Sequence, residues 1–218
     1  MKTKRHEAVL IVGPTGSGKT PLGEFLEQGG LWGRCCVHFD FGANLRRIGE
    51  GKMDLPSLTQ KEWDVVLHSL RSGALLENRH FAIAEKILKS FIEQNKVGER
   101  DIILLNGLPR HVGQAESVDI IIRIRLIVSL DCSKETVRDR IRRNTGGDRT
   151  HRIDDSLSDI EKKLIIFHER TIPLFDHYRV KNVRIMCINI AAETTPEDIR
   201  RLLVAVECPF HRQTEISP

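Results

Sequence analysis

Five short apolar runs alternate along the chain with stretches whose apolar residues recur every three or four positions. The runs at 8–12, 36–39, 102–105, 126–130 and 183–188 predict strands. The helical period predicts helices near 20–28, 60–70, 81–95, 134–143, 157–178 and 196–206. Runs that are apolar throughout suit strands buried on both faces. Their alternation with helices predicts an α/β fold of three layers, a five-stranded parallel sheet with helices on both faces. In the last helix Thr195 is placed to cap the N-terminus, with Pro196 at the first helical position. Glu197 and Asp198 there favour the positive end of the helix dipole.

Two stretches break the alternation. Residues 42–76 carry weak helical patterns and are too long for a simple crossover between two strands. Residues 144–152 are polar, include Gly146-Gly147 and interrupt an otherwise helical region. Both read as covers that move over a rigid core, an arrangement suited to a reaction that must exclude water.

The first strand runs into Gly13-Pro-Thr-Gly-Ser-Gly-Lys19-Thr20, and the helical pattern Leu22, Phe25, Leu26 follows. Strand, glycine-rich turn and helix in that order make a phosphate loop. Its backbone N–H groups, from Gly13 through Thr15, Gly16, Ser17 and Gly18, can turn inward on phosphate oxygens, helped by the helix N-terminus. Lys19 is placed to reach the outer phosphates and the Thr20 hydroxyl to ligate Mg2+. Pro21 is tolerated because first-turn N–H groups lack intrahelical acceptors. The expectation is a P-loop NTPase fold binding ATP with Mg2+.

Composition narrows the class without naming the chemistry. The 218 residues are 40% hydrophobic and 29% charged, as expected of one globular domain. The net charge of +4 comes from basic residues concentrated in motifs rather than along a tail, so no nucleic-acid partner is expected. The five cysteines show no Cys-x-x-Cys pair or zinc spacing, and with their odd number they suit a reducing cytosol. His38, His111, His151 and His168 lack metal spacing and read as structural or surface groups. No stretch is long enough to cross a bilayer, and the basic start precedes the phosphate-loop strand rather than a secretory core. A cytoplasmic monomer is expected.

A second motif is Ile102-Ile-Leu-Leu-Asn106-Gly107-Leu108-Pro109-Arg110, followed by Gln114-Ala115-Glu116 on a helix. It resembles the Asp-Gly-Phe-Pro-Arg signature and downstream Gln of adenylate kinases, within the nucleoside monophosphate kinases. The resemblance extends over most of the chain. It implies that Arg46 and Arg110 hold the acceptor phosphate and that Gln114 reads the acceptor base. Arg138-Asp-Arg140-Ile-Arg142-Arg143 resembles the arginine run leading into the lid, with Arg140 against the ATP base and Arg143 near the phosphates. Asp148-Arg149-Thr-His-Arg152-Ile-Asp154-Asp155 resembles the closing segment of a short lid, with Arg149 or Arg152 as its catalytic arginine. Lys163-Leu164 and the segment from Thr171 through Pro173-Leu174 to Tyr178 also fall where the family has related residues. The implied organisation is one P-loop kinase domain. Its core is 1–40, 77–143 and 153–218, with a nucleoside monophosphate-binding insertion at 41–76 and a lid at 144–152.

The residues support this reading independently. Phosphoryl transfer requires positioning and charge stabilisation more than covalent chemistry, and arginine forks suit phosphate oxygens. A plain solvated helix face fits Arg138 and Arg142 best, while Asp154 or Asp155 can also cap the helix near Leu157.

The acceptor half departs from the family pattern. Asn106 stands where the family has an Asp that holds Mg2+ through water, and an amide brings no charge. Asp40 on the neighbouring strand can supply the carboxylate, or bind an acceptor hydroxyl. Phe41 and Ala43 replace a Thr and an Asp around Gly42, and a phenyl ring there can stack on a base or narrow the pocket. Arg34, Arg46 and Arg47 are expected around this loop. The expected activity is transfer of the ATP γ-phosphate to a nucleoside monophosphate, AMP by default. The alternatives are a kinase of a non-nucleotide small molecule, motivated by Asp40, and an ATP-binding regulatory protein with little turnover, motivated by Asn106.

Overall fold

The structure is a computed structural model and describes residues 5–53, 55, 57–148 and 156–210. Five strands form one sheet: β1 (His6–Val12), β2 (Cys36–Asp40), β3 (Ile102–Asn106), β4 (Ile122–Asp131) and β5 (Arg184–Asn189). Their order is β2-β3-β1-β4-β5, and every neighbouring pair is parallel. The helices are α1 (Lys19–Gly29), α2 (Phe41–Gly49), α3 (Gln60–Ser72), α4 (Phe81–Gln94), α5 (Val112–Ile121), α6 (Lys134–Arg143), α7 (Leu157–Ile166), α8 (Leu174–Val180) and α9 (Pro196–Val204).

The unbroken apolar character of β1 follows from cover on both faces of the sheet. Ala8, Leu10 and Val12 pack on one side with Phe39, Ile103, Leu105 and the α4 residues Ile83 and Ile87. Val9 and Ile11 point the other way, onto Leu22 and Leu26 of α1 and Ile199 and Leu203 of α9. Side chains alternate across a strand, so each face needs its own apolar set. Complete burial of each such side chain stabilises by about 2 kcal/mol. At the C-terminal end of α9's preceding loop, Thr195 Oγ1 accepts from Asp198 N–H at 3.2 Å and Asp198 Oδ2 accepts from Thr195 N–H at 3.0 Å, a reciprocal cap.

This strand order makes β1 the switch point. The chain leaves β1 for β2 on one side, and after β3 it crosses to β4 on the other. Ligands of parallel sheets bind beyond the carboxyl ends of the strands at such a crevice. Here those ends deliver the glycine-rich loop after β1, Asp40 at the end of β2 and Asn106 at the end of β3. Asp40 and Asn106 are direct register partners.

Four expectations are corrected. The single helix at 157–178 is interrupted: α7 ends at Ile166, and Phe167–Thr171 form a π turn in which Ile172 N–H donates to Phe167 O at 3.1 Å. Pro173, which has no N–H to continue the ladder, precedes α8. The α7 cap is Ser156, whose Oγ accepts from Asp159 N–H at 3.2 Å, because it is the residue immediately before the helix; Asp154 and Asp155 lie outside the described residues. β4 starts at Ile122, four residues before the expected start, since Arg123 and Arg125 fit between buried neighbours. Arg125 Nη2 leaves the sheet to donate to Pro209 O at 2.9 Å.

The fourth correction concerns Arg34, expected beside the acceptor loop. It lies before β2, at the opposite end of that strand from Asp40. There its Nη1 donates to Glu7 Oε2 at 3.1 Å and its guanidinium lies 4.6 Å from the Phe210 ring centre. The cation thus fastens the C-terminal segment to the start of β1, the central strand.

Candidate active site

One cleft runs along the carboxyl ends of β1, β2 and β3. It is lined by the loop residues Gly13, Thr15, Gly16, Gly18, Lys19 and Thr20. Asp40, Phe41, Gly42 and Arg46 line it from β2 and α2, and Asn106, Arg110 and Gln114 from the segment after β3. These residues are far apart in sequence, and the parallel sheet brings them together.

The loop owes its shape to backbone freedom. Gly16 and Gly18 have φ of 78° and 97°, a region that side chains rarely enter. A Cβ on Gly16 would also stand 2.7 Å from Ile141 Cγ1. Ser17 is buried beneath the loop, where its Oγ donates to Pro14 O at 2.9 Å, so its hydroxyl closes the turn. Lys19 Nζ folds over the loop and donates to the carbonyls of Gly13 and Pro14 at 2.8 and 2.7 Å. The ammonium is thus held at the mouth of the ring of N–H groups.

Thr20, Asp40 and Asn106 form a polar triangle below Lys19. Thr20 Oγ1 donates to Asp40 Oδ2 at 2.7 Å. Asn106 Nδ2 donates to Asp40 Oδ2 at 2.9 Å and to Thr20 Oγ1 at 3.1 Å. A carboxylate only accepts, so Asn106 turns its NH2 toward it. A hydroxyl and a carboxylate are oxygen donors that a hard divalent cation takes together with nucleotide phosphates. This donor set therefore fits Mg2+ held by Thr20 and Asp40, with Asn106 orienting the carboxylate. Negative charge also gathers on this side of α1: the Glu24 carboxyl is held above its ordinary value, first by burial and then by Asp148 and Asp40.

Positive charge lines the same cleft, from Arg46 and Arg110. Arg110 follows the turn through Gly107 and Pro109, and burial alone lowers the pKa of its guanidinium to about 10. It is still a cation at neutral pH. Among the described residues neither Arg110 nor Arg46 has a carboxylate within salt-bridge distance. A desolvated cation without a counter-charge is costly unless an anion completes it.

The backbone around Arg110 is fixed from two sides. Gln114 Oε1 accepts from Arg110 N–H at 2.8 Å, and Thr171 Oγ1 donates to Arg110 O at 2.9 Å. Gln114 is 2% exposed and its Nε2 donates to Leu76 O at 2.8 Å. His111 caps α5 and its Nε2 lies 3.2 Å from the same carbonyl. Leu76 O accepts there, so the ring carries its proton on Nε2. The end of the stretch that holds α2 and α3 is thereby pinned to the start of α5. Arg170 and Glu77 add a bidentate pair at 3.1 and 2.9 Å, and the Arg170 bond pulls the Glu77 carboxyl below its ordinary value.

The arginines of α6 separate. Arg140 is 5% exposed, and its Nη1 donates to the carbonyls of Ala191, Ala192 and Thr194 at 2.8, 3.0 and 3.1 Å. Its Nε donates to Gly16 O at 3.2 Å. It therefore ties the phosphate loop to the loop between β5 and α9, a role the sequence did not suggest. Arg143 is not among the residues lining the cleft and pairs with Asp139 at 3.0 Å and Glu193 at 3.3 Å. Arg138 and Arg142 pair with Glu161 and Asp139 at the surface. Arg149 and Arg152 lie outside the described residues. The last described residues before them pack on the start of α1, where a Cβ on Gly146 would stand 2.6 Å from Pro21 Cγ.

His38 sits on β2 against α1, where only glycine fits: a Cβ on Gly23 would stand 2.2 Å from His38 Nε2. His168 lies beside Phe167, and His151 is outside the described residues. All five cysteines are unbridged, and burial pushes the Cys36 thiol up to about 12. Among the described residues no helix is long and apolar enough to cross a membrane.

Comparisons with known proteins agree with this geometry. The family described as AAA domain matches residues 9–165. An adenylate kinase of Haloarcula marismortui is 26% identical over 217 residues, covering 88% of this chain and 92% of its own. An adenylate kinase of Rhodopirellula baltica is 26% identical, covering 96% and 97%. UMP-CMP kinase 3 of Oryza sativa is 27% identical, covering 82% and 76%.

Proposed function

The chain belongs to the P-loop AAA-domain family that it matches over 9–165 and, with its relatives, to the adenylate kinase and nucleoside monophosphate kinase family, and from that premise we propose that it moves the γ-phosphoryl group of ATP to a nucleoside monophosphate. AMP is the default acceptor. The observation that carries the proposal is the pair Arg46 and Arg110, which line one cleft with the phosphate loop and among the described residues have no carboxylate within salt-bridge distance.

In this reading the N–H groups of Gly13 to Gly18 and Lys19 hold the donor phosphates. Bound Mg2+ would supply charge neutralisation between the outer phosphates, held through Thr20 and Asp40. Arg110 and Arg46 hold the acceptor phosphate in line with the group that moves. Their planar forks fix its oxygens while the site is closed to water. No general base is needed, because the acceptor phosphate is already an anion. Phe41, Leu45 and Leu76 give the acceptor side an apolar wall for a base, with Gln114 at its end. The segments 41–76 and 144–152 act as the acceptor cover and the lid of a single domain. The protein works as a cytoplasmic monomer.

In this reading Asp40 serves the donor side and the α2 cap rather than an acceptor hydroxyl. Both of its carboxylate oxygens are already engaged, by Thr20 and Asn106 on one side and by the Ala43 N–H on the other. The test is a coupled assay with ATP and a panel of nucleoside monophosphates. Diphosphate formed from at least one of them is expected. Failure with every acceptor, in protein that binds ATP, refutes the proposal.

A further inference from the structure

Asp40 touches both halves of the cleft. Its Oδ2 faces the donor side, 2.7 Å from Thr20 Oγ1 and 2.9 Å from Asn106 Nδ2. Its Oδ1 faces the acceptor side and accepts from Ala43 N–H, in the first turn of α2, at 2.8 Å. Its backbone carbonyl accepts from Asn44 Nδ2 at 2.8 Å. One turn further along α2 is Arg46. A Cβ built on Gly42 would stand 3.4 Å from both Asp40 Oδ1 and Arg46 Nη1, so carboxylate and guanidinium border the same small space.

A carboxylate is planar and rigid, so its two oxygens cannot move independently. Whatever draws Oδ2 toward the donor side also moves the group that caps α2. Asn106 strengthens the asymmetry: being neutral and a donor, it holds Oδ2 without competing for the cation. A second carboxylate at this register-paired position would set two like charges side by side.

We propose that Asp40 is a positioning residue that couples loading of the magnesium nucleotide beside Thr20 to the placement of α2 and Arg46 for the acceptor. The inference rests on the phosphotransferase reading above. Because such coupling is reciprocal, acceptor bound at Arg46 equally favours the loaded donor side.

The test compares wild type, Asp40→Asn and the double exchange Asp40→Asn with Asn106→Asp. Each is loaded with an ATP analogue whose γ-phosphate cannot transfer, with EDTA or with magnesium. Hydrogen exchange of segment 41–49 and calorimetric binding of AMP are then read. Asparagine caps a helix as well as aspartate, so Asp40→Asn keeps α2 while removing the charge. In wild type, magnesium slows exchange in 41–49 and tightens AMP binding by about fivefold or more. In Asp40→Asn, magnesium leaves both unchanged although the analogue still binds. In the double exchange a carboxylate returns beside Thr20 without the bridge, so magnesium again tightens the analogue while α2 stays unresponsive. An equal magnesium response of α2 in either variant, or none in wild type, overturns the inference. If AMP is phosphorylated and α2 does not respond, only the coupling falls; if the protein binds no analogue, the phosphotransferase reading falls with it.

Discussion

The side-chain oxygen of Gln114 accepts from the backbone N–H of Arg110 at 2.8 Å, so the residue that resembles a base reader also fixes the turn that carries Arg110. In the proposed reading this bond joins base recognition to phosphate recognition. The same amide holds Leu76 O, at the end of the segment carrying α2 and α3. Gln114→Glu keeps the bond to Arg110 but sets a buried carboxylate against the Leu76 carbonyl. It is expected to raise the acceptor KM about tenfold or more while changing the ATP KM little, as steady-state kinetics would show. An equal change in both constants would contradict the assignment.

Arg110 separates charge from shape. Arg110→Lys retains a cation but not the planar fork, and Arg110→Ala removes both. Losing an electrostatic group that acts on the moving phosphoryl costs on the order of 10²–10³ in kcat, so Arg110→Ala should fall in that range with Arg110→Lys between it and wild type. Circular dichroism checks that each variant folds.

Arg140 should act on the donor side without touching the moving group. Its four hydrogen bonds join the phosphate loop to the β5–α9 loop. A lysine cannot reproduce them, and lost bonds to a charged group cost about 2 kcal/mol. Urea unfolding of Arg140→Lys is expected to show that loss, together with weaker ATP binding. Arg143→Ala, at an exposed surface network, should leave stability nearly unchanged.

His38 gives the protein an acid-sensitive element. Its pKa is lowered, chiefly because burial disfavours the imidazolium, with Asp40 and Glu27 opposing. Above the ordinary value of 6.5 the ring is neutral both folded and unfolded, and stability is full. As pH falls through 6.5 the unfolded chain takes up the proton first, so stability declines toward the folded pKa. Urea midpoints measured between pH 7.5 and pH 5 should fall more steeply in wild type than in His38→Gln. Parallel curves would exclude His38 as the cause.

Much of the fold was legible because strand burial on both faces writes itself as unbroken apolar runs, and the phosphate loop has a fixed spacing. The Thr195 cap was legible for the same local reason. What could not be read depends on spatial order. Asp40 meets Asn106 only because β2 lies beside β3, a fact of topology that no spacing carries. Arg140 and Arg143 share a helix of basic residues, yet one turns inward to carbonyls and the other outward to acids. That choice is set by the loop after β5, fifty residues on. The break at Phe167–Thr171 kept an apolar period on either side, and Pro173 was its single local sign.

The central claim is transfer between two nucleotides bound in one cleft. It is tested most directly by following γ-labelled ATP with AMP and other nucleoside monophosphates, then resolving the phosphorylated products. The label is predicted in the β-phosphate of a nucleoside diphosphate, with transfer reduced on the order of 10²-fold or more by Lys19→Ala. Label found solely in inorganic phosphate, or transfer indifferent to Lys19, would contradict it.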